Sequence, residues 1–249
     1  MISVIVCSID RAKFARIDAL YKSALAGEEW ELIGIHDAKS LAEGYNRGIA
    51  HSRGEIVIFS HDDIELLSPH FAERLKGHLA KFDLIGVAGT SRVVNGGWVN
   101  AGPPHIFGQV AHLGREGMIA VNIYGAPRPS VGNIQGLDGL FMAARRGVIE
   151  KVKFDAATFD KFHLYDVDFS FAAFQMGFKL GVACDINLLH HSSGRFREEW
   201  AEHMLRFNHK WFGGRAHNGP VFVAQWSIIQ VPTRQQAAEL MNPPFWEWE

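Results

Sequence analysis

The residues best equipped for chemistry are His61-Asp62-Asp63, three adjacent groups that can bind a metal or carry protons. Two neighbouring carboxylates repel each other unless something cationic sits beside them, and a hard divalent ion is the usual answer. The run that delivers them, residues 56–59 (IVIF), is short, apolar and β-branched at three of its four positions. That pattern suits a strand covered on both faces, as in a parallel sheet. In open α/β sheets ligands gather at the carboxyl ends of strands, so a buried strand ending in two carboxylates offers a positioned site. Taken alone, the same residues fit equally well a solvated Asp turn that caps the next helix.

The elements around this strand follow from pattern and punctuation. Residues 3–7 (SVIVC) read as a first buried strand, 11–25 as an amphipathic helix and 30–36 as a second strand ending at Asp37. Ser40-Leu41-Ala42-Glu43 is a capping box, so a helix should start there and run to about residue 50. After the central strand come a helix opened by Ser68 and Pro69 and carried to about residue 81, then a strand over 84–88. Strands alternating with helices predict an α/β fold, a doubly wound and mostly parallel sheet with helices on both faces. Residues 90–136 are rich in Gly, Asn and Pro, lack helical periodicity and predict loops and short strands that shape a pocket. Beyond them, 137–146 opens another apolar element, 166–176 is a helix closed by Gly177, and 179–184 is a strand. Leu188-Leu189 leads into His190-His191, and 198–212 is an amphipathic helix whose Trp200, Met204, Phe207 and Trp211 read as core packing. These boundaries give one domain over 1–215, with halves at 1–90 and 91–215, followed by a tail over 216–249 that packs on the domain or on a partner.

Composition excludes several classes. An apolar content of 47% and a charged content of 21% are those of a globular chain, and a net charge of −2 gives no basic excess for nucleic acid. Cys7 and Cys184 are the only cysteines, each ending an apolar run, which is the usage of a reducing compartment. No run of 18 apolar residues occurs and the amino terminus lacks a signal pattern, so the expected location is cytoplasmic. There is no G-x-x-x-x-G-K loop and no G-x-G-x-x-G after the first strand. If a nucleotide binds this sheet, a metal must hold its phosphates.

The ordered set of Asp37, Ser40 to Ile49 (SLAEGYNRGI), His61-Asp62-Asp63, Asp138-Gly139, Tyr165 to Ser170 (YDVDFS), Gly177-Phe178 and His190-His191 resembles family 2 glycosyltransferases of the GT-A fold. It is most similar to bacterial members with a His-Asp-Asp form of the metal motif, and it spans roughly residues 1–195. The resemblance implies an inverting, metal-dependent transfer of a sugar from a nucleotide-diphosphate donor to an acceptor hydroxyl, of hexosyltransferase type. By the same implication Asp37 contacts the nucleobase, Asp62 lies near the ribose or donor sugar, and Asp63 coordinates Mn²⁺ or Mg²⁺ on the diphosphate. Asp166 is the base, with Tyr165 standing where the family has Glu, and one of His190 and His191 is a late metal ligand, His190 being slightly preferred. His61 departs from the family's Asp or Asn, and its role stays open. Asn46 and Asp138 join the substrate-binding candidates, although Asn46 reads equally as a helix-surface amide. Trp98 and Phe107 read equally as an acceptor-sugar platform and as core. Asp166 and Asp168 begin a helix, where an Asp is also a good cap; that reading is preferred for Asp168. Two rival functions remain: a metal-dependent phosphoesterase built on the same His and Asp residues, and a GT-A-like binding domain without catalysis.

Overall fold

The apolar runs at the start of the chain become parallel strands, with helices making the crossovers. In a computed structural model, which describes residues 1–125, 128–192, 198–214 and 226–243, β1 (Ile2–Cys7) pairs in parallel with β2 (Trp30–Ile35) and with β3 (Ile56–Ser60). The helices between them, α1 (Arg11–Ala24) and α2 (Leu41–His51), begin where side chains can take up free N–H groups. Asp10 accepts from Ala12 and Lys13, and the Ser40 hydroxyl accepts from Glu43 at 3.1 Å. Gly48 lets α2 lie directly on β1, because a Cβ there would run into Ile5.

After β3 come β4 (Ile64–Leu66), α3 (Phe71–Leu79), β5 (Leu84–Gly86) and β6 (Ala88–Thr90). The helix expected from Ser68 starts later, because the Ser68 hydroxyl is bonded to Asp185 O and Asn187 N, both at 2.6 Å. The single strand expected over 84–88 is two strands that enter different sheets. The loop-rich stretch is more regular than its composition predicts, holding β7 (Ile106–Leu113), β8 (Ile119–Tyr124) and the short β9 (Ser130–Val131) and β10 (Gly136–Leu137). Buried Gln109 obscures the apolar signal of β7; its amide reaches Cys184 O, Asn187 Oδ1 and Met241 O. The remaining elements are β11 (Phe141–Arg145), α4 (Arg146–Lys151), α5 (Tyr165–Gln175), β12 (Leu180–Ala183), β13 (Leu188–His190), α6 (Glu198–Phe212), β14 (Ser227–Val231) and α7 (Arg234–Met241).

Two sheets result. The first has the order β2-β1-β3-β11-β5-β12-β9, parallel except where β11 and β9 run against their neighbours. The second has the order β10-β6-β7-β13-β4, with β8 also on β7 and β14 on β8. Ile5, Ile58, Phe59, Phe141 and Phe169 lie fully buried in the main core. The aromatic stripe of α6 packs on that core as expected, with Phe207 buried and Trp200, Met204 and Trp211 partly so. Asp168, expected as a cap, is instead buried against α6, where it accepts from Lys210 Nζ at 2.9 Å and from Trp211 Nε1 at 2.8 Å. Within residues 226–243 the tail lies on the domain: β14 pairs antiparallel with β8, and α7 buries Ala237 and Met241 against Ala111, Ile119, Val121 and Leu189. Residues 244–249 of the tail are outside the described part. Among the described residues, no helix is long and apolar enough to cross a membrane.

Candidate active site

The turn between β3 and β4 lies beside the end of β13, and this neighbourhood brings together side chains that could hold a metal. The antiparallel register aligns His190 with Ile64, one residue past Asp63. His190 Nε2 approaches Asp63 Oδ1 at 3.2 Å, and the His190 ring lies 5.6 Å from that of His61. One ligand atom from each of His61, Asp63 and His190 falls within 4.8 Å of the others. Burial, and then the neighbouring His190, pushes the His61 imidazole below its usual range, which favours the neutral form that can donate a lone pair. Burial alone pushes Asp63 upward, but the hydrogen bond and charge of His190 hold it well below the usual carboxylate range. Two imidazole nitrogens and one ionised carboxylate fit a borderline divalent ion such as Mn²⁺, with the carboxylate also compatible with Mg²⁺. The donor set therefore fits the metal that the resemblance implies.

Asp62 faces the other way. It accepts from the Ser8 hydroxyl at 2.6 Å and lies 3.5 Å from Lys13 Nζ, which is also 3.7 Å from Asp63. Asp62 is thus held by the Ser8 hydroxyl, while Asp63 reaches His190. The two late histidines are separated as well. While His190 joins the cluster, His191 turns to Glu65, with Nε2 at 2.6 Å from Oε1. Of the pair offered as metal ligands, the structure brings in His190 and not His191.

The second group of polar residues sits where α5 meets the loop before β11. Asp166 accepts a 2.7 Å hydrogen bond from Gly139 N through Oδ2. No side chain caps α5, whose cap position is Leu164 in a left-handed conformation at φ 59°. Gly139 is required by the close approach, since a Cβ would strike Tyr165 and Asp166. Burial, and then the charge of Asp138, pushes the Asp166 carboxyl up to about 7. Asp138 is held by Leu140 N and by Trp98 Nε1, both at 2.9 Å. Trp98 is thus buried with its ring edge-on to Tyr124, in the core rather than presented as a platform, and Phe107 is partly buried against the same core. Tyr165 joins the two groups, with its hydroxyl 3.1 Å from His61 Nε2 and 3.2 Å from Gly139 O.

The other predicted residues stand apart from these groups. Asp37 is exposed and pairs with Arg47 at 2.8 Å, whose hydrogen bond and charge lower its pKa. The Asn46 amide is engaged with the Phe154 backbone, donating to O at 2.8 Å and accepting from N at 3.1 Å. It thereby fixes an aromatic floor in which Phe154 stacks on Phe169 at 4.1 Å. Sequence reasoning left His61 unassigned and passed over Ser8, Lys13 and His112. The i, i+2 spacing of His61 and Asp63 was a usable signal for the first. The others arrive only through tertiary contacts: Ser8 and Lys13 meet Asp62, and His112 lies opposite His190 in the β7–β13 register, their rings 5.5 Å apart.

A family model described as a glycosyltransferase-like family matches residues 3–213. Among solved structures, the chain is similar to the mannosyltransferase PcManGT from Pyrobaculum calidifontis, determined in complex with GDP-Man and Mn²⁺, at 12% identity and a TM-score of 0.51. That alignment covers 88% of this chain and 65% of the mannosyltransferase, so the chain spans less than two thirds of its relative's length. Residues 1–349 of TarS from S. aureus align at 12% identity over 89% of this chain and 75% of theirs, with a TM-score of 0.45. No curated protein matches. At such identities the first alignment speaks to the fold alone, and the fold is of the GT-A type.

Proposed function

The chain belongs to the glycosyltransferase-like family, and from that premise we propose that it moves a sugar, with inversion, from a nucleotide-diphosphate donor to an acceptor hydroxyl. The observation that carries this reading is the division of labour between two carboxylates. Asp63 is held ionised within a set of metal-binding side chains, while Asp166 is held near 7 on a different element. Pairs of acids whose surroundings push their pKa values apart are suited to different roles. A base works best when its pKa lies near the working pH, and Asp166 meets that condition for deprotonating an acceptor hydroxyl. His61, Asp63 and His190 would hold Mn²⁺ or Mg²⁺, which when bound offsets the charge that grows on a leaving diphosphate.

The remaining residues serve this reaction in our reading. Asp37, at the exposed end of β2, reaches the nucleobase, and Asp62, steadied by Ser8, reaches the ribose or donor sugar. Gly139 N keeps Asp166 in place, Asp138 raises its pKa, and the Tyr165 hydroxyl, bonded to Gly139 O, links that loop to His61. Residues 1–90 form the donor half and 91–215 the acceptor half, with 216–249 as a tail on the domain. The Mn²⁺ and GDP-Man in the mannosyltransferase complex support the ion and the donor class. The decisive variant is Asp166→Asn, which keeps size and hydrogen-bonding capacity but cannot take up a proton. With a panel of nucleoside-diphosphate sugars and Mn²⁺, it should bind donor as wild type does while transfer falls on the order of a hundredfold or more. Near-normal turnover would place the base elsewhere and remove Asp166 from this mechanism.

A further inference from the structure

The tail contributes a side chain to the back of the metal-binding group. Arg234, the first residue of α7, grips Glu65 with two prongs, Nε to Oε2 at 2.6 Å and Nη2 to Oε1 at 2.8 Å. Glu65 lies two residues past Asp63 on β4, and its Oε1 also meets His191 Nε2 at 2.6 Å. The main chain of His191 in turn donates to Asp63 O at 2.9 Å. The residues on either side of this grip are thus Asp63 and His190, whose mutual distance is set by the β4–β13 register. The far end of α7 is anchored as well: Met241 O accepts from Gln109 and Asn187, and Asn242 Oδ1 accepts from Arg74. An arginine fork carried on a helix tied down at its other end is a stiff support. Its planar geometry matches a carboxylate, which a flexible single-point contact does not. Arg234 and the rest of α7 lie beyond residue 213, outside the family match, while their partners lie within it.

We propose that Arg234 is a positioning residue for the metal set, holding β4 against β13 through Glu65 and His191 so that Asp63 and His190 stay at ligating distance. The inference rests on the metal reading given above. Partners bonded directly to ligands orient them, and losing one typically weakens metal binding by 10- to 100-fold; Arg234 stands further out, which sets its effect at the low end. An exposed ion pair contributes little to global stability. A merely structural Arg234 would therefore leave metal affinity unchanged, whatever it did to melting.

The test measures Mn²⁺ affinity of the full chain with no nucleotide present, following free Mn²⁺ by electron paramagnetic resonance, with melting temperatures alongside. Wild type should bind Mn²⁺ at a site that Asp63→Ala abolishes. Arg234→Ala should raise the dissociation constant about tenfold with little change in melting, and Arg234→Lys should recover part of the loss. Glu65→Gln should weaken binding too, and the double variant should be no worse than the weaker single one, since both act through one contact. Affinity within twofold of wild type in Arg234→Ala, or fully additive losses in the double variant, overturns the proposal. If Arg234→Ala folds poorly, Glu65→Gln decides alone, because the anchors at Met241 and Asn242 remain. If Asp63→Ala binds Mn²⁺ as wild type does, the metal reading itself fails and takes this proposal with it.

Discussion

Asp166 is a carboxylate whose surroundings move it far from its ordinary state. Its carboxyl moves from an ordinary value of 3.8 up to about 7, through burial first and Asp138 second. The folded chain therefore holds this proton more tightly than the unfolded chain, so folding stability falls as pH rises between those two values. The carboxyl's contribution is fully present below the lower value and lost above the upper one. Wild type and Asp166→Asn should thus melt together near pH 4, and the variant should melt higher at pH 8. For a chain of this size each kcal/mol is worth about 2–4 °C. A melting difference that does not change between pH 4 and pH 8 would contradict the raised pKa. Under the proposed mechanism activity should run the opposite way, with a rising limb in kcat/KM near pH 7 as Asp166 loses its proton. One group then sets stability against turnover, a trade expected where a charge is buried for function.

At the scale of elements, the placement of α5 governs the site, because its first turn carries both Tyr165 and Asp166. No side chain caps α5; in addition to that helix's bonds to Leu137 and Gly139, Asp168 ties it to Lys210 and Trp211 on α6. Asp168→Ala leaves the Trp211 indole N–H without its acceptor and takes from Lys210 one of its two carboxylates, Asp155 being the other. Hydrogen bonds to charged groups contribute about 1.5–3 kcal/mol, and a loss of that order is expected in chemical denaturation. Restoring packing without charge, in Asp168→Asn, should recover only part of it. Metal affinity should stay as in wild type, since α5 supplies none of His61, Asp63 and His190. A drop in Mn²⁺ binding would show that α5 and the β3–β4 turn are coupled more tightly than the Tyr165–His61 hydrogen bond implies.

At the scale of the molecule, the second sheet depends on the tail for one edge and part of its cover. Removing residues 216–249 would strip β14 from β8 and uncover Ala111, Ile119, Val121 and Leu189. Unpaired strand edges and exposed apolar patches promote association. The truncated chain should therefore elute as large species in size-exclusion chromatography, where the full chain gives a sharp peak. A truncated chain with an unchanged profile and melting temperature would show that the tail is dispensable. The alternating αβ pattern of the first 90 residues, the cap at Ser40, and the candidacy of Asp63, Asp166 and His190 were all legible in the sequence. Each is a local property, written in periodicity, in capping chemistry or in an ordered motif. The sequence preferred His190 over His191 only slightly, and it could not recruit His61, turn Asp168 from a cap into an interhelix contact, or find β7 behind a buried glutamine. Those outcomes depend on which face of an extended segment meets which neighbour, and on partners tens of residues away in the chain. Strand register and helix docking decide both, and they exist only once the chain has folded.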